Sequence, residues 1–421
     1  MNKRPLITFT TLGWMFDFFD LILYSFLLVW IQAEYHFSNF ESGLIYSVSL
    51  ASTAFGGILI GWGGDIFGRK PAIMASIFIF SFGTLLSGFA WDLTSLLAFR
   101  ILTGFGIGGE WAAGHTLVNE ILPKGERGKA SAIIQSGAPL GAGLASFTGG
   151  FVTPLVGWRN SFILGSIPSF LLFILIVRYL PESPRFLIFK KESRDVHPKN
   201  EGGNSQMQKG ILYIRSATKR SYRTLWEVRH PLFACTLLSL FGMLAYWVIY
   251  SWTPSYLGLL GLSPGEVGGW MLLSNLGAFI GYISFGYIAD LSERFKMTFS
   301  LYALLFTLGA GIFIIGTALD VAVLSLSGIF AVGVGTGFFS GFGPLYSRIF
   351  ATKVRNTCSS FCFNAGRLGA FVAPILVSQL ALLFGIAGGM STAIIFSLLV
   401  AIWIFFVPIP DDAKAALETD Y

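Results

Sequence analysis

The first apolar stretch of this chain, Leu6 to Ala33, carries two carboxylates in its middle, Asp17-Phe18-Phe19-Asp20, and nothing else constrains the fold as much. A run of this length reads as a membrane-spanning helix, because about 20 residues at 1.5 Å rise cross the hydrocarbon core. Asp17 falls close to the midplane, where an ionisable group costs several kcal/mol unless it faces protein or water. The i,i+3 spacing sets Asp17 and Asp20 on one helix face, and Tyr24 continues that stripe four residues on. Neither carboxylate can face lipid. The helix therefore lines a polar cavity, and the rest of the chain is expected to form its wall.

The composition fits that expectation. Only 12% of residues are charged, 54% are hydrophobic and the mean hydropathy is +0.70, whereas a soluble domain is about a quarter charged. Fifty Gly and 42 Phe among 421 residues suit close helix–helix approach in lipid, and the short alternating segments of a β-barrel are absent. The fold class expected is all-α and integral to the membrane. Apolar segments run at 6–33, 42–63, 71–90, 94–119, 128–156 and 160–180, then at 231–258, 266–289, 298–317, 320–346, 356–384 and 389–408. That is twelve transmembrane helices in two blocks of six. The domains expected are an N-terminal six-helix bundle (1–180), a polar central linker (181–230) and a C-terminal six-helix bundle with a short tail (231–421).

The net charge of +6 is not a nucleic-acid footprint. Of the 28 Lys and Arg, all but Arg100, Arg159 and Arg367 fall in segments that alternate loops place on one side. This is the positive-inside pattern, and it puts both termini and the central loop in the cytoplasm. The first apolar stretch has no small-residue cleavage site, so it is expected to stay in the protein. Cys235, Cys358 and Cys362 lie in apolar segments and read as small packing residues, not a metal site. With no P-loop and no nucleophile elbow in a credible context, the chain is expected to be no enzyme, to need no cofactor, and to be driven by a gradient.

The two blocks carry a weak internal repeat. Gly61-x-x-x-Asp65-x-x-Gly68-Arg69-Lys70 closes the second helix, and Gly286-x-x-x-Asp290, with Arg294 and Lys296 beyond, closes the eighth. Six helices repeated in the same topology point to a transporter with its site between the halves.

Over essentially its whole length the chain resembles the major facilitator superfamily. The Gly61–Lys70 loop is similar to that family's signature between the second and third helices, with Ile66 where a basic residue is common. Arg100-Ile-Leu-Thr-Gly104-Phe-Gly106-Ile-Gly108-Gly109-Glu110-Trp111 resembles the fourth helix of proton-linked organic-acid members. Pro181-Glu182-Ser183-Pro184-Arg185 resembles the sugar-porter and organic-acid branches. Within the superfamily, Asp17-x-x-Asp20 of the first helix, Gly108-Gly109-Glu110-Trp111 of the fourth and Gly366-Arg367-Leu368-Gly369 of the eleventh are similar to symporters of aromatic acids, sialic acid, shikimate and lactate-type monocarboxylates. The resemblance implies alternating access of two bundles and proton-coupled symport of a small organic anion. A sugar or polyol symporter is the alternative, and an antiporter a further one, resting on the faint likeness of Gly137-Ala138-Pro139-Leu140-Gly141 to an antiporter motif that tight packing explains as well.

Residue by residue, the chemistry is as follows. Arg367 lies near mid-membrane, about twelve residues beyond Arg355. A permanent guanidinium there needs an anion and can grip a carboxylate with two hydrogen bonds. The anion is either the substrate, with Asn364 one turn earlier, or a buried acid from another helix. Asp17 and Asp20 are proton-coupling candidates, or else they balance Arg100 or Arg367. Glu110, midway along the fourth helix, is a second proton carrier. Arg100 is its neighbour nearer the outside, either biasing proton affinity or pairing two helices. His115 is a packing residue or a relay. Tyr24, Gln135, Tyr250, Asn275 and Tyr346 are candidates for the cavity lining. Pro254 is expected to bend or break the seventh helix near its outer end, with Trp252 and Tyr256 in an interfacial aromatic belt. Asp65, Arg69, Glu120 and Arg127 on one half, and Asp290 and Arg355 on the other, read as a charge-linked cytoplasmic gate, although Arg348 stands where sugar porters usually carry Glu. Nothing demands an oligomer, since one chain of twelve helices can enclose its own cavity. The partners expected are the bilayer, protons and a small organic anion, with no nucleic acid.

Overall fold

The computed structural model describes residues 4–122, 130, 133–184, 186–187, 228–291, 294–350 and 355–409. Among them there is no strand. The helices are α1 (Arg4–Tyr35), α2 (Asn39–Phe67), α3 (Arg69–Ser87), α4 (Leu93–Ile121), α5 (Gly137–Phe147) and α6 (Thr153–Tyr179). After the polar central segment come α7 (Arg229–Leu259), α8 (Pro264–Leu291), α9 (Phe295–Ala318), α10 (Ala322–Gly335), α11 (Arg355–Met390) and α12 (Thr392–Trp403). A π turn, Thr148–Val152, carries α5 on into the Thr153–Tyr179 stretch, which reverses at Gly157, and α10 is carried on by a 3₁₀ turn, Thr336–Gly341, and a last helical piece, Phe342–Ile349. The twelve helices stand where the apolar segments require them.

Local signals explain the boundaries. Ser38 caps α2 in a reciprocal box with Glu41, and Asp92 caps α4 in the same way with Ser95, each satisfying amide groups that a helix start leaves open. The hairpins α5–α6 and α11–α12 are so tight that helical hydrogen bonding runs almost through them. Each turns on one residue in left-handed backbone, Gly157 at φ 81° and Gly385 at φ 70°, a conformation glycine enters without steric cost.

The two halves repeat each other in contact as well as in order. In the first, α1 packs on α5, α2 on α4 and α3 on α6; in the second, α7 packs on α11, α8 on α10 and α9 on α12. The first helix of each half lies deep in protein, with 78% of an apolar 18-residue stretch of α1 and 72% of one of α7 buried. Between the halves, α1 meets α7, α2 meets α11 and α5 meets α8.

Helix seven departs from expectation. It continues through Pro254 to Leu259 without a break. Trp252 and Tyr256 are not an interfacial belt: both are buried, with Trp252 Nε1 donating to the Pro374 carbonyl at 3.2 Å and the Tyr256 hydroxyl to Thr317 at 2.9 Å. An indole or phenol has one polar group to satisfy, and here α11 and α9 supply the partners inside the protein.

Candidate functional site

Helix α1 organises the site because glycine clears its flanks. A Cβ on Gly141 would lie 1.9 Å from the Met15 carbonyl, so α5 touches the α1 backbone directly. On another side, a Cβ on Gly13 would lie 2.5 Å from Glu110 Oε1, and the same oxygen would be 3.3 Å from one on Gly114. The carboxylate of Glu110 thus occupies a glycine-walled slot between α4 and α1, one turn from Asp17.

The three buried acids have different surroundings. Asp20 is engaged: Arg100 Nη1 stands 2.9 Å from Asp20 Oδ2, and the Thr84 hydroxyl donates to Asp20 Oδ1 at 2.6 Å. The Arg100 guanidinium is itself enclosed between the rings of Tyr24 and Phe162, at 5.1 and 5.7 Å, a favourable placement of a cation on aromatic faces. Asp17 and Glu110 are equally buried, yet neither oxygen of either carboxylate has a hydrogen-bond partner among the described residues. The charge that acts on both is Arg367, reaching from α11 of the other half, and Arg367 Nη1 also has no hydrogen-bond partner there. A buried polar group left open normally costs stability, so two open carboxylates on one half and an open Arg367 Nη1 on the other mark a place built to receive something.

The remaining candidates are distributed as follows. Asn364, one turn before Arg367, lies against the α2 backbone: its Oδ1 would be 3.0 Å from a Cβ on Gly57. Tyr24 stacks edge-on to Tyr46 at 5.2 Å, with its hydroxyl unpartnered among the described residues. Gln135 is half-buried beside the start of α5 with Oε1 unpartnered in the same sense. Tyr250 shares a hydrogen bond with Ser274 at 2.9 Å and stacks on Tyr246 at 4.2 Å. Asn275 donates across the two halves to Ser146 Oγ at 3.0 Å. Tyr346 is bound within the second half, its hydroxyl 2.5 Å from that of Ser239. The backbone of His115 belongs to α4, and its side chain lies outside the described residues.

Among the gate residues, Arg69 Nη2 pairs with Glu120 Oε1 at 3.0 Å, and Arg69 Nη1 donates to the Gly64 carbonyl at 2.7 Å. Arg127, and the side chains of Asp65, Asp290 and Arg355, lie outside the described residues. Two participants were not singled out by sequence. Glu182 accepts from the backbone N–H of Arg69 at 3.0 Å and of Lys70 at 3.2 Å, capping α3 from beyond α6; its place in the Pro-Glu-Ser-Pro motif was the available signal. Thr84 left no signal, since a threonine in an apolar helix usually bonds its own backbone.

Comparison with known proteins agrees with this architecture. A sequence profile described as the Major Facilitator Superfamily matches residues 10–374. The chain is 30% identical over 391 residues to a probable 4-methylmuconolactone transporter of Cupriavidus pinatubonensis, covering 90% of this chain and 84% of that one. It is 28% identical over 382 residues to the niacin transporter NiaP of Acinetobacter baylyi, covering 88% and 85%. It is 29% identical over 386 residues to the sialic acid transporter NanX of Escherichia coli, covering 91% and 89%. Among solved structures, a D-xylose–proton symporter superposes with a TM-score of 0.77 over 97% of this chain and 99% of that one, at 17% identity, a likeness of fold alone. Twelve helices in two matched sixes, a buried charged locus between them and a profile match over most of the length lead to one conclusion: the chain belongs to the Major Facilitator Superfamily, and is a transporter and not an enzyme.

Proposed function

We propose that this protein is a proton-coupled symporter of a small organic anion, working by alternating access of an N-terminal bundle (1–180) and a C-terminal bundle (231–421) joined by a cytoplasmic linker (181–230). The observation that carries the reading is the set of buried polar atoms without a hydrogen-bond partner among the described residues: both oxygens of Asp17 and of Glu110 on one side, and Arg367 Nη1 on the other. A carboxylate substrate would take Arg367 as its counter-ion. The acids that Arg367 balances in its absence would then need protons to remain buried, which ties anion binding to proton binding. Asp20 has little part in that exchange, because Arg100 and Thr84 already hold it. A sugar would leave Arg367 without an anion. The relatives named for niacin and sialic acid, both carboxylates, support an acid as substrate here. The Lys and Arg distribution supports a cytoplasmic membrane with both termini inside. Arg69, Glu120 and Glu182 are assigned to the cytoplasmic gate.

The test is uptake into proteoliposomes of labelled nicotinate, benzoate, N-acetylneuraminate, lactate and glucose, with and without an inward proton gradient. Accumulation of an acid that follows the gradient and is lost in Arg367→Ala supports the reading. Uptake of glucose alone, or of an acid indifferent to both the gradient and Arg367, overturns it.

A further inference from the structure

The two halves repeat each other down to single backbone contacts, and that register pairs residues between them. On α4, a Cβ on Gly104 would lie 2.1 Å from the Ser49 carbonyl oxygen, and one on Gly106 2.3 Å from the Phe80 amide nitrogen. On α10, a Cβ on Gly333 would lie 2.0 Å from the Ser274 carbonyl oxygen, and one on Gly335 2.4 Å from the Phe306 amide nitrogen. Glu110 stands four residues past Gly106, and Phe339 four past Gly335. The first helices keep the same count. A Cβ on Gly137 would lie 2.7 Å from the Thr11 carbonyl oxygen, and one on Gly366 3.3 Å from the Leu240 amide nitrogen. Asp17 stands six residues past Thr11, and Tyr246 six past Leu240. Asp17 and Glu110 in the first half thus hold the places of Tyr246 and Phe339 in the second.

What differs is the chemistry at those places. Where α1 and α4 present two carboxylates, α7 and α10 present two rings, Tyr246 and Phe339, which meet edge to face with centroids 5.5 Å apart and planes at 76°. Tyr246 also reaches across to the half-buried ring of Phe18 at 6.4 Å, and Phe18 is the chain neighbour of Asp17. The ring pair therefore stands beside the division between the halves, on the far side from the acids. Core packing does not use it up. Tyr246 and Phe339 each keep 7% exposure, whereas Tyr250 and Phe338 beside them are at 0%. Phe338 and Phe339 part company inside the 3₁₀ turn Thr336–Gly341, a mid-helix departure of a kind often seen at functional positions. Phe338 packs inward on Phe299 and Phe306, and Phe339 meets Tyr246.

We infer that Tyr246 and Phe339 form the ring-binding wall of the substrate site, and that the anion carried is a planar aromatic carboxylate. This rests on the symporter reading above and narrows it. Arg367 takes the carboxylate, and the body of the molecule lies against the two rings, across from Asp17 and Glu110. The repeat thereby divides the work: one half handles protons with an acid pair, and the other handles the substrate ring with an aromatic pair. A few placed polar groups against an aromatic lining are what a small-molecule site needs. An aromatic ligand gains from the faces and edges of its neighbours beyond what its buried area supplies. A saturated ring of the same size offers the area without the quadrupole, so discrimination between the two is the signature of this wall.

The experiment measures binding to the full chain in detergent by calorimetry, with 4-hydroxybenzoate and trans-4-hydroxycyclohexanecarboxylate as probes. The two share a carboxylate, a hydroxyl and a carbon count, and differ in the ring. Expected is tighter binding of the aromatic acid by about threefold or more. Phe339→Leu and Tyr246→Leu should each bring that ratio towards one, and Tyr246→Phe should keep it. Loss of packing alone would weaken both acids together and leave the ratio standing. Equal affinities in the parent, or a parent ratio that survives in either leucine variant, overturns the inference. So does a parent that binds neither probe nor nicotinate, and the parent comparison decides by itself where a leucine variant does not fold. Uptake of both probes into proteoliposomes then separates the wall from the reading it rests on. Ring-selective binding without gradient-driven uptake overturns the symporter and leaves the wall standing. Gradient-driven uptake of both acids alike overturns the wall and leaves the symporter.

Discussion

Arg100 Nη1 lies 2.9 Å from Asp20 Oδ2, with the two side chains only 0% and 2% exposed, so α4 and α1 are joined by an ion pair sealed from water. A pair of this kind is weak evidence of stability while intact, but removing one partner strands a charge and costs about 3–5 kcal/mol. Asp20→Asn and Arg100→Gln should each lower the thermal midpoint in detergent by many degrees. The double variant should recover much of the loss, since neither charge is then stranded. Equal and additive losses in the cycle would mean that the pair carries no coupling. Arg100→Lys should not restore the parent value, because an ammonium lacks the planar fork that lies between Tyr24 and Phe162.

Asp17 makes the opposite prediction. Its carboxylate is buried with no hydrogen bond to the described residues, so Asp17→Asn removes a liability and should leave stability unchanged or higher. What it should lose is coupling. Uphill accumulation driven by a proton gradient should fall at least about tenfold, equivalent to about 1.4 kcal/mol, while counterflow of the same acid continues. Glu110→Gln, read the same way, separates the two acids: the variant that keeps counterflow but loses accumulation identifies the group whose proton is carried. If both keep gradient-driven accumulation, neither carries it.

The helix count, the repeat and the buried acids were all legible in the sequence, because each follows from what lipid forbids. Apolar length dictated twelve spans, and a mid-membrane Asp had to face protein. What sequence could not provide was the division of labour between Asp17 and Asp20, which share a helix face and differ only in a partner from α4 and another from α3. That distinction is tertiary. Trp252 and Tyr256 misled for a related reason, since an aromatic near a helix end looks the same whether it meets headgroups or the Pro374 carbonyl.

The repeat is exact enough in one detail to be tested. Lys70, at the start of α3, donates through Nζ to the Val177 carbonyl at 2.8 Å near the end of α6, and Lys296, at the start of α9, donates to the Val407 carbonyl at 2.7 Å just past α12. Each lysine supplies a charged donor to carbonyls that the end of a helix leaves open. Lys70→Ala and Lys296→Ala should each cost about 0.5–1.5 kcal/mol, and the double variant should cost the sum, because the two sites are in different bundles. Thermal unfolding in detergent measures all three. A strongly non-additive result would show that the halves do not behave as independent bodies at this end.

The turn between α2 and α3 yields the sharpest contrast between two neighbouring glycines. Gly68 has φ 120°, and a Cβ there would lie 2.2 Å from Glu182 Oε2 and 3.1 Å from the Phe186 ring. Gly63, five residues earlier, has helical backbone and, among the described residues, only the Phe67 ring edge at 3.9 Å. Gly68→Ala therefore meets two penalties together: a backbone conformation essentially confined to glycine, which costs an L-residue about 1–3 kcal/mol, and displacement of the carboxylate that caps the Arg69 and Lys70 amides. Gly63→Ala meets neither and even gains helix propensity. Folded yield and thermal midpoint should fall for Gly68→Ala and hold for Gly63→Ala. Glu182→Ala, which clears the space but removes the cap, should be destabilised on its own by about 0.5–2 kcal/mol. Adding Gly68→Ala to it should then cost less than the same substitution costs in the parent, because one of the two penalties has already been removed. If Gly68→Ala costs the same with and without the Glu182 carboxylate, the clash is not what makes glycine necessary there, and the left-handed backbone alone accounts for it.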